Sequence, residues 1–141
     1  MRILARITLA LLALALMCAP AFGGGGGKDL EKTPQAKAYR TLLKAVDDGD
    51  YEAYKKAMVA EAAKSIDEQT KEMGMTPKKG MEFLKAMAPT DVKLTDLKVD
   101  GKKATLSATG KQGGETNWGT IELAEENGAW KVGHQSWTNK K

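Results

Sequence analysis

The apolar residues of this chain are spaced in three different ways along its length, and each spacing points to a different kind of segment. From Ile7 to Met17 they follow one another almost without interruption. Between Ala38 and Met87 they return every three or four positions, the repeat of one helix face, and from Val92 onward they alternate, the repeat of one strand face. Thr33-Pro34 is a cap followed by proline at the first helical position, so a helix is predicted from Pro34 to about Asp47 with Ala38, Leu42, Leu43 and Val46 on its apolar stripe. Asp48-Gly49-Asp50 ends it and caps the next, because Gly49 tolerates a left-handed C-terminal position and Asp50 can accept the first free N–H groups. The second helix carries Tyr51, Tyr54, Met58, Ala62 and Ile66 on one face and ends between Ser65 and Met73. Thr76-Pro77 repeats the start signal. A third helix follows with Met81, Phe83, Leu84 and Met87, and Pro89 stops it.

The alternating half predicts two hairpins. Val92, Leu94, Leu97 and Val99 lead into Asp100-Gly101, and Ala104 to Thr109 return; the change from even to odd apolar positions after Leu94 predicts a bulge before Leu97. Beyond the polar loop Lys111 to Glu115, the segment Asn117 to Glu125 pairs with Ala129 to Trp137 around Asn127-Gly128, a strong signal for a two-residue turn. The predicted fold class is α+β, three N-terminal helices packed on a curved four-stranded antiparallel sheet. A two-residue turn at Asn127-Gly128 sets Leu123 opposite Val132 and Ile121 opposite His134. One face then holds Ile121, Leu123, Trp130, Val132 and His134 and covers the helices. The other holds the pairs Trp118–Trp137, Thr120–Gln135 and Glu122–Gly133 and looks outward.

The uninterrupted first segment belongs to a leader. Arg2 and Arg6 precede the Ile7 to Met17 stretch, and Ala19-Pro20-Ala21 places small residues where a signal peptidase cuts. The stretch is far shorter than the roughly 20 residues of a spanning helix, so no transmembrane segment is expected. The domain reading is therefore a signal peptide over 1–21, a glycine-rich spacer over 22–30, one domain over 31–138 and a short tail over 139–141. Two processing routes stay open. Cleavage after Ala21 releases an exported protein, periplasmic or secreted; lipidation of Cys18 makes a membrane-anchored lipoprotein, although Met17 stands where a small residue normally precedes such a cysteine. The first route is favoured.

Loss of the leader takes away two arginines and no acid, so the formal charge drops from +4 to +2 and the basic balance nearly disappears. Charges of both signs are interspersed, which argues against a nucleic-acid partner. Cys18 is the only cysteine and His134 the only histidine. No disulfide, zinc site or cofactor is expected of the mature chain. There is no Gly-Xaa-Ser-Xaa-Gly elbow, phosphate loop or dinucleotide fingerprint.

The element order, the opening stretch Lys44-Ala45-Val46-Asp47-Asp48-Gly49-Asp50-Tyr51 and the closing Glu125-Glu126-Asn127-Gly128-Ala129-Trp130-Lys131-Val132 resemble the nuclear transport factor 2-like superfamily. Its small exported bacterial members, the families called domain of unknown function 4878, are the nearest in character. The resemblance covers Thr33 to Trp137. It implies a sheet wrapped around helices as a cone with an inner pocket, and dimerisation through the sheet's outer face. This chain lacks the early hairpin that larger members carry between their second and third helices.

Candidate chemistry is sparse. His134 on the inner face would be the base of a small isomerase, cyclase or hydrolase with a tyrosine such as Tyr54 as partner, but a histidine hydrogen-bonded at the core edge is the favoured reading. Asp47, Asp48 and Asp50 lack calcium-loop spacing and read as a capping turn. Tyr39, Tyr51 and Tyr54, and the methionines Met73, Met75, Met81 and Met87, read first as core and second as pocket lining. Trp118 and Trp137, paired on the outer face, read as the centre of an interface with a second copy or an envelope component. The expected function is a non-enzymatic binding or structural role at the cell envelope. Its partner is an envelope protein or a small apolar ligand, with Trp118, Trp137, Tyr54 and His134 as binding residues, and the pocket enzyme is the alternative.

Overall fold

The computed structural model describes residues 27–140, so the predicted signal peptide, Cys18 and the Ala19-Pro20-Ala21 motif lie outside the described residues. A single helical turn, α1 (Gly27–Leu30), precedes helices α2 (Pro34–Asp48), α3 (Tyr51–Lys56), α4 (Ala60–Glu72) and α5 (Pro77–Met87). Strands β1 (Thr90–Asp100), β2 (Lys103–Gln112), β3 (Glu115–Glu126) and β4 (Ala129–Thr138) follow. They form one antiparallel sheet in the order β1-β2-β3-β4, open at both edges, so the protein is of the α+β class.

The helix ends are where the cap residues put them. Thr33 Oγ1 accepts the Ala36 N–H at 3.2 Å, Asp50 Oδ1 accepts that of Ala53 at 3.0 Å, and Thr76 Oγ1 accepts that of Lys79 at 3.3 Å. Gly49 sits at φ +70°, and its N–H and that of Asp50 bond back to the Val46 and Ala45 carbonyls. This closing motif satisfies carbonyls that the end of α2 would otherwise leave free. Inside, the stripe of α2 presses on the inner sheet face. Tyr39, Leu42, Met81, Leu106, Ile121 and Val132 are the largest sealed side chains, each contributing about 1.5–3 kcal/mol by burial.

Several expectations are corrected. The folded part begins before Glu31, since α1 falls within the predicted spacer and Leu30 is buried in the core. Arg40 holds this start in place, donating to the Glu31 carboxylate and, at 2.9 Å, to the Val92 carbonyl. The predicted second helix is two helices, broken at Ala57–Val59. There the Val59 N–H donates to the Val132 carbonyl and the Val132 N–H to the Ala57 carbonyl, both at 2.9 Å. This short parallel bridge engages the free edge of β4, which would otherwise leave backbone groups unpaired. Tyr54, Met58 and Ala62 keep helical spacing across the break, so the apolar repeat conceals it. On α5, Gly80 and Met81 are buried and Leu84 half-buried, whereas Phe83 and Met87 are exposed, as is Met73 at the end of α4. Gly80 brings the helices together there, with Thr70 of α4 at ordinary contact distance from where a Cβ would stand. Of the four methionines read as core, only Met81 is sealed.

The first hairpin carries its predicted bulge, with the register shifting between Leu94 and Asp96. The second begins as predicted. Asn127 and Gly128 both have positive φ, and Glu126 faces Ala129, Glu125 faces Trp130 and Leu123 faces Val132. The register then slips by one residue at Gly133. Glu122 pairs with His134, Ile121 with Gln135, Thr120 with Ser136, Gly119 with Trp137, and Trp118 with Thr138. Because side chains alternate with a period of two, one extra residue moves everything beyond it to the other face. His134 is therefore exposed and faces outward, and Trp137 turns inward. Trp118 stands without an aromatic partner on the outer face.

The slip places Trp137 where the inner face has room for an indole. A Cβ at Gly119 would lie 2.7 Å from its ring and one at Gly110 3.1 Å away, so both glycines form the slot it occupies. The outward tryptophan pair, on which a sheet-to-sheet dimer was reasoned, is not formed.

Candidate functional site

Helix α4 buries only Thr70 among its thirteen residues. Its two ends are nevertheless fixed. At the start, Val59 is bridged to β4 and the Ala60 N–H donates to Glu126 Oε1 at 2.9 Å, a helix cap supplied by the distant hairpin. Towards the end, Asp67 accepts the Tyr51 hydroxyl at 2.7 Å and lies within 3.3 Å of Lys55 Nζ, whose ammonium also sits 4.9 Å from the Tyr51 ring centre. The Tyr51 hydrogen bond holds the Asp67 carboxyl below its ordinary value. The middle of α4 stands off the sheet.

The space beneath it is an open cleft of about 680 Å³. Its apolar walls are Leu42, Met58, Ala62, Ile66, Leu123 and Val132, drawn from α2, the α3–α4 break, α4, β3 and β4. The break and the bulge together make it. The first swings α4 past the β4 edge, and the second leaves Gly133, without a side chain, between Val59 and the Glu122 carbonyl.

Two polar groups of the lining, Gln135 and Tyr54, stand among the apolar walls, with Tyr39 behind Gln135. Gln135 Oε1 accepts the Tyr39 hydroxyl at 3.0 Å and the Trp137 indole N–H at 3.3 Å. An indole N–H can only donate, so the amide oxygen is fixed on that side and the NH₂ is left for the cleft that Gln135 lines. Burial drives the Tyr39 phenol far above its ordinary pKa and keeps it a donor. Tyr54 is 96% buried, and burial raises its phenol as well. Its hydroxyl makes no hydrogen bond to a described residue, and no sealed side-chain N or O atom among those residues lacks a partner. The Tyr54 hydroxyl therefore opens into the cleft, whose wall it forms.

Of the residues singled out from sequence, Tyr54 and His134 line this cleft, His134 from the exposed rim opposite Glu122. Trp137 supports it from behind through Gln135. Trp118, half-buried between Thr109 and Thr138 on the outer sheet face, has no part in it. Gln135 is the residue the sequence reading missed as a cleft group. Strand glycines 110 and 119 were the signal, since an aromatic filling their place turns Gln135 inward. Asp50 caps α3, Asp48 pairs with Lys44 and Asp47 with Lys85. Among the described residues no three His, Cys, Asp or Glu side chains gather closely enough to hold a metal, and no helix is long and apolar enough to cross a membrane. No protein-family model, curated protein or solved structure matches this chain.

Proposed function

We propose that this is an exported, non-enzymatic binding domain of the cell envelope that takes a small apolar ligand in the cleft under α4. The observation that carries the reading is the apolar face of α4 and the break before it, where Met58, Ala62 and Ile66 stay half-buried over an open cleft of about 680 Å³ instead of being sealed against the sheet. A held helix whose apolar face stays half-buried exposes surface that folding alone would bury. The volume lies within the ordinary range of small-molecule sites, roughly 300–1,000 Å³, as does an apolar lining with few polar groups. Helices preceding a four-stranded antiparallel sheet support the nuclear transport factor 2-like reading, and the Arg2 to Ala21 leader supports export. The test uses the mature domain and the uncharged fluorophore N-phenyl-naphthylamine. The native protein is expected to bind it at one site, and Ala62→Trp, which fills the cleft, to weaken binding at least tenfold while the unfolding midpoint stays in place. A folded protein that does not take up the probe overturns the reading.

A further inference from the structure

Resting on that reading, we infer that the ligand is an uncharged apolar molecule bearing a carbonyl-type oxygen, recognised by the Tyr54 hydroxyl and the Gln135 amide NH₂. The Gln135 NH₂ is a pure donor, because its amide oxygen is taken by Trp137 and Tyr39. Tyr54 is buried as a residue, but its hydroxyl is not sealed, has no partner among the described residues and belongs to a side chain lining the same cleft. Both groups belong to residues lining the same cleft, and Gln135 is held there by its hydrogen bond from Tyr39. A ligand that is hydrocarbon throughout would cover these two donors and leave them unpaired, which is costly. A carbonyl oxygen has two lone pairs and can accept from both.

Charge argues against a carboxylate at this place. Lys103 at the rim is matched by Glu61 and Glu122 on the same rim, so no net cation faces the ligand. The two donors are both neutral, and a buried anion without a cationic partner is strongly disfavoured.

The experiment displaces bound N-phenyl-naphthylamine with three compounds of equal chain length: a methyl ketone, the plain hydrocarbon and the carboxylic acid at neutral pH. The ketone is expected to compete about tenfold more tightly than the hydrocarbon, as one to two satisfied donors imply, and the acid more weakly than the ketone. Tyr54→Phe and Gln135→Leu should bring the ketone down to the hydrocarbon while the probe still binds. Gln135 also holds Tyr39 and Trp137, so if Gln135→Leu fails to fold, Tyr54→Phe decides alone. Probe binding retained with ketone and hydrocarbon equal overturns this inference and leaves the cleft reading standing. Tighter binding of the acid overturns the uncharged class. Failure of the probe to bind the native protein removes the cleft reading and this inference with it.

Discussion

Trp137 lies across Gly119 of the neighbouring strand, so close that a single methyl group on that glycine would stand 2.7 Å from the indole. The Trp137 N–H in turn orients Gln135 towards the cleft. Gly119→Ala is therefore expected to destabilise the protein by about 1–3 kcal/mol, the cost of forcing atoms into a filled site. Gly133→Ala should cost far less, because a methyl group there meets its neighbours at 3.6 Å or more. Urea unfolding of the two variants measures the difference. Equal destabilisation would remove the indole slot as the reason for these glycines.

Deleting Gly133 tests the bulge itself. Without the extra residue, the pairing that holds from Glu126–Ala129 to Leu123–Val132 would run straight on into Glu122–His134, Ile121–Gln135 and Gly119–Trp137, so His134 stays outward and Trp137 inward with no bulge between them. The expected result is tryptophan emission at the native wavelength, since Trp137 keeps its place across Gly119 and no large aromatic leaves the core. Emission shifted to longer wavelength would mean that Trp137 had left its slot and that Gly133 is not the extra residue of the bulge.

The contrast between these two positions shows what was legible in the chain. Caps and turns are local: Thr33-Pro34, Gly49-Asp50, Thr76-Pro77 and Asn127-Gly128 act within four residues of themselves, and each is found where the sequence put it. The bulge after Leu94 was legible because the apolar repeat itself changes phase there. At Gly133 no such change shows, since Val132 and Trp137 fit an unbroken alternation with Trp137 outside as readily as a broken one with it inside. What decides is a tertiary fact, the indole-sized gap over Gly110 and Gly119. The break at Ala57–Val59 is hidden for the same reason, because the edge of β4 that engages it lies more than 70 residues further along. The cleft arises from these two non-local events, so Tyr54 was legible first as a core aromatic and second as pocket lining, and Gln135 only as an outward polar residue.

Glu126 joins the second hairpin to the start of α4. Val59 has no side-chain oxygen to cap that helix, and the Glu126 carboxylate takes its place on the Ala60 N–H. Glu126→Ala should cost about 0.5–2 kcal/mol, the range for a lost N-cap, and Glu126→Gln should recover much of it because an acceptor oxygen remains. Amide exchange at the first turn of α4, faster in the alanine variant and near native in the glutamine one, reports the effect locally. Uniform protection in all three proteins would dismiss Glu126 as the cap.

The other end of α4 supplies a pH dependence. The Tyr51 hydroxyl donates to Asp67 and Lys55 lies beside it, so the carboxyl is held below its ordinary value in the folded protein. A group whose pKa is lower when folded stabilises the fold fully above its unfolded value, and that contribution is lost as pH falls through the folded one. Tyr51→Phe removes the main cause of the shift. The Asp67 carboxyl should then titrate closer to the ordinary aspartate value, about 3.9, as followed by carbon-detected NMR. The stability gap between native protein and Tyr51→Phe should be constant near neutrality and narrow as the solution becomes more acidic than that value, once Asp67 is protonated in both. A gap that widens on acidification, or an Asp67 titration unmoved by Tyr51→Phe, would overturn the assignment of the shift to the tyrosine hydroxyl.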